Sequence, residues 1–192
     1  MVNRCAWAGS DPEMISYHDL EWGTPIHDDR LLFEFLILEG AQAGLSWSTI
    51  LRKRDNYRKT FNNFDAKKIA NYNENLIEEL LTNEGIIRNR QKIEAVISNA
   101  KVFLKIKEEY GSFDKFIWNF VNHKPIINKF KDLLELPSKT EISEQMSKEL
   151  KKKGFKFVGP TICYAFMQAV GMVNDHVMDC FRYNEINRSI NK

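Results

Sequence analysis

No stretch of this chain is apolar for long enough to cross a bilayer, since none approaches the roughly 18 residues that a spanning helix needs. The opening segment MVNRCAWAGSDPE has no apolar signal-peptide core. The expectation is a soluble, cytoplasmic protein. Cysteine is scarce. Cys5, Cys163 and Cys180 cannot form a closed disulfide framework, and in a reducing compartment such thiols serve as metal ligands, reactive groups or small core residues. Charge of one sign is not in excess either. A net charge of +2 creates no whole-molecule field that would demand nucleic acid, so such a partner must be argued from local clusters. Alternating strand-like runs, internal repeats and low-complexity segments are missing as well.

What remains is helical. The 192 residues include 43% hydrophobic and 12% aromatic side chains, enough to bury a core in one domain or in two intimately packed helical subdomains. Asp11-Pro12 reads as a cap and first-turn proline. Asp28 and Asp29 cap a helix through Leu31 to Glu39, followed by a GAQAG turn. Ser46 caps a helix to about Phe61, with a basic face of Arg52, Lys53, Arg54, Arg58 and Lys59. Asp65 and Asn73 cap two short helices. The longest periodic pattern runs from Ile86 to about Tyr110, and Ser112 starts another short helix. Residues 122–142 read as a loop with local turns. A helix from about Ser143 to Lys153, the segment GFKFVGP and an apolar helix TICYAFMQAVG follow. The tail around MVNDHVMDCFRY reads as partly helical and its last residues as frayed. The expectation is an all-α protein of eight to ten helices without a clear linker.

Three constellations bear on chemistry. Cys5 and His18 are spaced C-x12-H, and His176 and Cys180 are spaced H-x3-C, which puts the second pair on one helix face. Two thiolates and two imidazoles suit a tetrahedral zinc, and four protein ligands would make it structural. Unrelated placement is the alternative, with His27, His123 and Cys163 left over and Cys163 reading as a core residue. The second constellation spans Lys148 to Pro160. Gly154 and Gly159 punctuate a turn between two helices, with lysines nearby. Backbone N–H groups at a helix start grip phosphate, although a solvated lysine face would look the same. The third constellation is aromatic. Trp7, Tyr17, Trp22 and Trp47 flank the metal-like residues and Glu39. Such residues are ordinarily core, yet a lone acid in an apolar helix needs a partner. A planar base stacked on an indole and bonded by a phenol and a carboxylate would provide one.

Together the blocks RCAW, YHDLEWGTP, LEGAQAGLSW, GIIRNRQKIEAVISNA and KKKGFKFVGPTICYAFMQAVG, with NDH shortly before Cys180, resemble the DNA-3-methyladenine glycosylase I family along nearly the whole chain. The resemblance implies a single compact glycosylase unit over residues 1–192, with its helix-hairpin-helix at about 143–171 and its hairpin on Phe155 to Pro160. It implies one structural zinc per chain on Cys5, His18, His176 and Cys180, tying the two ends of the chain together. It also implies a base pocket of Glu39, Tyr17 and Trp47 walled by Trp7 and Trp22. DNA contacts fall on Gln42, Gly44 and Leu45, in the turn that enters the space left by a flipped nucleotide, and on Lys156, Phe157 and Gly159.

Two departures stand out. Met14 occupies a place where some members carry an aromatic, and Asp175 lies near the superfamily's catalytic acid but beside a metal-like residue, so it receives no catalytic role. The implied activity is monofunctional excision of N3-methyladenine from alkylated double-stranded DNA, without strand cleavage, by a monomer. The implied role of Glu39 is to favour an already cationic base. A zinc-bearing DNA-binding module without catalysis and a glycosylase for another lesion are the competing readings.

Overall fold

The fold is built around a helix that is buried on nearly every side. The computed structural model describes residues 2–190, with α1 (Pro12–Leu20), α2 (Asp29–Gln42), α3 (Trp47–Thr60), α4 (Ala66–Ile69) and α5 (Glu74–Thr82) in its first half. The second half contains α6 (Arg90–Tyr110), α7 (Phe113–Trp118), α8 (Glu141–Lys153), α9 (Pro160–Ala169) and α10 (Phe181–Ile190). In α2 every residue from Leu32 to Ala41 is buried, as expected of a helix that is apolar around most of its circumference. It packs against α3, α6, α7 and α9. The buried side chains form one cluster running from Cys5 to Cys180.

The boundaries follow the capping chemistry. Asp28 accepts from Leu31 N at 2.8 Å, Ser46 from Thr49 N at 3.2 Å and Asn73 from Leu76 N at 3.1 Å. Four boundaries differ from the sequence reading. First, α2 continues through Gly40, Ala41 and Gln42, so Glu39 lies inside the helix. A Cβ on Gly40 would come within 3.2 Å of Phe157 Cβ and 3.3 Å of Phe157 O. Glycine there admits the turn between α8 and α9 onto α2. Second, α6 begins at Arg90 because the Asn89 side chain takes Lys92 N. Third, α8 begins earlier than Ser143. Thr140 is its cap, and Ser143 is the third helical residue of a reciprocal capping box. Fourth, α10 is a full helix to Ile190; residues 191 and 192, to which the fraying expectation extends, lie outside the described residues.

The loop of residues 122–142 contains one short strand, β1 (Ile126–Ile127), which pairs in parallel with β2 (Val173–Asn174). This two-residue ladder escapes sequence reading because no alternation can develop over so short a length. Near it, Gly171 has φ +71°, and a Cβ there would lie 2.4 Å from Pro25 N. The chain at Thr24 and Pro25 therefore lies flush against the end of α9. Gly23 N to Gln168 O at 3.1 Å and Ile26 N to Val170 O at 3.1 Å close that seam. The two ends of the chain also meet, through Phe181 N to Asn3 O at 3.0 Å and Asn3 Nδ2 to Asp179 Oδ2 at 2.9 Å. Among the described residues no helix is long and apolar enough to cross a membrane.

Candidate functional site

Cys5, His18, His176 and Cys180 come together although the two pairs are separated by most of the chain. All four are buried, and their ligand atoms lie within 4.8 Å of one another. His18 projects from α1. His176 and Cys180 lie in the turn between β2 and α10 and not on a helix face, contrary to the sequence expectation. The turn closed by Cys180 N to Val177 O at 2.8 Å brings them together instead. Each imidazole is oriented by its second nitrogen. His18 Nδ1 lies 2.8 Å from Asp19 Oδ1, and its Nε2 lies 3.5 Å from Cys180 Sγ. His176 Nε2 donates to Trp22 O at 3.0 Å, which turns its Nδ1 toward both sulfurs at 3.6 Å. Asp19 is held in turn by Arg4, whose hydrogen bonds keep the Asp19 carboxyl below its usual range. The two thiols share a hydrogen bond that holds Cys180 low and Cys5 high. The group could hold one metal ion.

An open cleft of about 690 Å³ adjoins this group, lined by Trp7, Tyr17, Trp22, Glu39, Gln42 and Trp47, with Met14, Leu136, Ala165 and Gln168 completing the wall. Every base-pocket residue named from sequence lies on it. Trp22 meets the His176 ring edge-on at 4.7 Å, Trp7 meets His18 at 5.2 Å, and Trp7 and Trp22 pack at 4.9 Å. The cleft's aromatic wall thus leans on the two imidazoles of the group that could hold a metal. Tyr17 and Trp47 lie at 5.2 Å.

Three polar atoms of the cleft wall are unsatisfied. Glu39 is 3% exposed; its Oε2 and the indole nitrogens of Trp7 and Trp47 are buried without a hydrogen-bond partner. Burial pushes the Glu39 carboxyl up to about 8. Burial, then the charge of the nearby Glu39, pushes the Tyr17 phenol well above its usual range. A folded protein satisfies nearly all such groups internally, so three orphans on one concave wall mark a place for a polar, planar ligand.

Two further segments carry the residues that the sequence reading assigns to DNA contact. The turn after α2 places Gly44 at φ +79° and leaves Leu45 exposed. Lys92 Nζ donates to Ala41 O at 2.9 Å and Ala43 O at 2.7 Å and fixes the turn. The turn between α8 and α9 is clamped by Asn99, which accepts from Lys156 N at 2.8 Å and donates to Lys156 O at 3.0 Å. Ser147 Oγ donates to Val158 O at 2.6 Å. Gly159 precedes Pro160 at the first position of α9, and Phe157 takes φ +56°. Lys148, Lys151, Lys152 and Lys156 are exposed, whereas Lys153 is engaged by Glu109 at 2.8 Å.

Several residues were not visible as site residues in the sequence. Leu136 reaches the cleft from the irregular loop, and Gln168 and Ala165 reach it from α9. Nothing local marks them. Lys92 and Asn99 read only as members of the α6 pattern. Asp175 is buried and bonded by Tyr164 at 2.5 Å, Gln168 at 2.8 Å and Asn128 at 2.7 Å. Those bonds satisfy it without a catalytic role. Cys163 is a core residue whose thiol burial pushes up to about 12. The basic face of α3 is largely consumed internally, through Arg54–Glu21, Arg58–Glu34 and Arg52–Asp11 pairs.

Residues 7–183 match the methyladenine glycosylase family. The chain is 52% identical over 180 residues to the DNA-3-methyladenine glycosylase of Haemophilus influenzae, covering 94% of this chain and 97% of that one. A crystal structure of a 3-methyladenine DNA glycosylase I superposes with a TM-score of 0.92 at 52% identity, covering 93% of this chain and 98% of that chain. The Staphylococcus aureus 3-methyladenine DNA glycosylase I, solved to define its 3-methyladenine recognition, superposes with a TM-score of 0.91 at 39% identity, covering 94% and 96%. With a helical fold that superposes along its length and a family match that spans both the cleft and three of the four residues that could hold a metal, the chain belongs to the methyladenine glycosylase family.

Proposed function

We propose that the cleft receives an N3-methyladenine flipped out of double-stranded DNA and that this enzyme, an N-glycosyl hydrolase of base-excision repair, cleaves the bond between that base and its sugar. The observation that carries this reading is Glu39 Oε2, buried without a partner on an aromatic wall. N3-methylation makes the base cationic. A cation entering beside Glu39 supplies the missing partner and favours the ionised carboxylate by charge, reversing the effect of burial. Trp47 is the stacking floor, Tyr17 bonds the base edge, and Trp7 and Trp22 form the walls.

The cationic base needs no prior protonation. When the N-glycosidic bond breaks, its electron pair passes to the base and neutralises it. Water adds to the sugar carbon and releases a proton to solvent. Glu39 acts on this step through charge stabilisation. Among the described residues no lysine lines the cleft, which supports monofunctional chemistry without a Schiff base and without strand cleavage. A single chain supplies the whole cleft, in keeping with a monomer.

Gln42, Gly44 and Leu45 enter the space vacated by the flipped nucleotide. The α8 and α9 pair forms a helix-hairpin-helix, in which Phe157 and Gly159 present backbone N–H groups, and Lys156 its side-chain charge, to the DNA phosphates.

Cys5, His18, His176 and Cys180 hold one zinc ion. Tetrahedral zinc at ordinary bond lengths separates its sulfur and nitrogen ligands by about 3.6 Å, and the sulfur–nitrogen distances of 3.5 to 3.6 Å here fit that spacing. Four protein ligands leave no open position, so the bound ion supplies cross-linking of the chain ends and no reaction chemistry.

The test is chromatographic measurement of free 3-methyladenine after incubation with methylated duplex DNA. Release by the metal-loaded protein is expected, and its absence would refute the reading.

A further inference from the structure

We infer that Gln168, held from behind by Asp175, is a specificity-determining residue whose amide oxygen accepts a hydrogen bond from the exocyclic amino group of the flipped base. This rests on the reading of the cleft as a base pocket and goes beyond the residues that reading uses.

Gln168 lines the cleft from α9. Its amide is not free to turn. Asp175 Oδ2 accepts from Gln168 Nε2 at 2.8 Å and from the Tyr164 hydroxyl at 2.5 Å, while Asp175 Oδ1 accepts from Asn128 Nδ2 at 2.7 Å. A carboxylate only accepts hydrogen bonds, so the nitrogen of the amide must face it. The oxygen is left for the cleft. The Gln168 oxygen is not among the buried atoms lacking a partner, and among the described residues the Gln168 side chain bonds Asp175 alone. It stands open on the wall. The backbone is equally constrained, since Gln168 O accepts from Gly23 N at 3.1 Å.

The chemical need for such a group follows from Glu39. Burial pushes its carboxyl up to about 8, so in the empty cleft near neutrality it can be either a donor or an acceptor, and only a bound cation fixes it as an acceptor. A group that changes its polarity cannot by itself tell an amino group from a carbonyl at the same ring position. A fixed amide oxygen can. It bonds the amino group of an adenine-type base and meets the carbonyl oxygen of a guanine-type base with an unfavourable pairing of two acceptors. Sites built to bond a polar group reject the analogue lacking it more strongly than apolar pockets reject a change of size.

The test compares release of 3-methyladenine and 3-methylguanine from one preparation of methylated duplex DNA. Gln168→Met keeps the length of the side chain and removes the acceptor. Its ratio of 3-methyladenine to 3-methylguanine release, as kcat/KM, is expected to fall about tenfold or more. An unchanged ratio, whether both rates fall equally or neither falls, overturns the proposal. Gln168→Glu keeps an acceptor toward the cleft while sharing a proton with Asp175, and it is expected to hold the ratio within about threefold of wild type. Loss of the preference in Gln168→Glu overturns the proposal even if Gln168→Met does not fold. Wild-type release of 3-methyladenine is measured alongside, and its absence would refute the base-pocket reading instead.

Discussion

Glu34 and Glu39 stand five positions apart on the same buried helix, and only one of them is answered by the protein. Glu34 is fully buried, with Arg58 Nη2 at 2.7 Å from Oε1 and Arg30 Nη1 at 3.2 Å from Oε2. Glu39 is buried as well, but its Oε2 has no partner. The same residue type in the same helix thus serves two ends. One carboxylate ties α2 to α3, and the other is kept for a ligand.

The first prediction concerns stability. Removing Glu34 strands Arg30 and Arg58 beside a buried site. Glu34→Gln is expected to destabilise the protein by about 2 kcal/mol, below the value for a fully buried pair because both arginines are partly exposed. Glu39→Gln removes a buried carboxyl that has no partner, and the folded protein is expected to be at least as stable as wild type. Denaturant titration at pH 7 distinguishes the two. Equal destabilisation by both substitutions would contradict the contrast.

The second prediction is the sign of the pH dependence. The folded carboxyl of Glu39 titrates at about 8, above its unfolded value near 4.5. Between these values the folded protein binds the extra proton. The contribution of Glu39 to stability therefore falls as pH rises through this window, by up to about 1.4 kcal/mol per pH unit. Catalysis runs the other way. Favouring a cationic base requires the ionised form, so kcat/KM is expected to rise with pH toward about 8 in the wild type, and Glu39→Gln should lose that limb. A flat wild-type profile from pH 6 to 9 would remove Glu39 from this role.

The difference between Glu34 and Glu39 also marks where sequence reasoning stops. Caps such as Asp28, Ser46 and Asn73 were legible because each acts on a backbone N–H within a few residues. The apolar periodicity of α6 was legible for the same local reason. The need of Glu39 for a partner could be argued from its neighbours, but the two arginines of Glu34 could not, because one of them comes from a different helix. Leu136, Gln168 and the β1–β2 pairing depend on which distant segments meet. Residue type and spacing already joined Cys5, His18, His176 and Cys180 into one candidate metal group, with unrelated placement as the alternative, and the resemblance to a family favoured the grouping.

The third prediction joins the metal to the cleft. Trp22 gives its carbonyl to His176 and rests its ring against the same imidazole, and Trp7 packs on His18. Loss of the proposed ion would leave each ring held by its second nitrogen alone. Metal analysis is expected to give about one zinc per chain. Cys5→Ser and Cys180→Ser are expected to lower Tm by several degrees or more and to weaken binding of free 3-methyladenine. A metal-free protein with unchanged Tm and unchanged base affinity would sever the link.

The fourth prediction separates the cleft from the turn beside it. The Gln42–Leu45 turn follows a helix end whose last carbonyls need donors. Lys92 supplies them, at 2.9 Å to Ala41 O and 2.7 Å to Ala43 O, and does so although burial depresses its pKa. Lys92→Met keeps the aliphatic stem and removes the ammonium. Each lost charged hydrogen bond costs about 1.5–3 kcal/mol in a dry setting, and less here, where the lysine is only partly buried. The substitution therefore loosens the turn more than it endangers the fold. Free 3-methyladenine touches only the cleft wall, so its affinity is expected to stay within about twofold of wild type. On the proposed reading the turn occupies the vacated stack during excision from duplex DNA, so kcat/KM on methylated duplex is expected to drop about tenfold. If both measurements fell together, Lys92 would be supporting Glu39 and the cleft itself. If neither changed, the turn would need no anchor from α6.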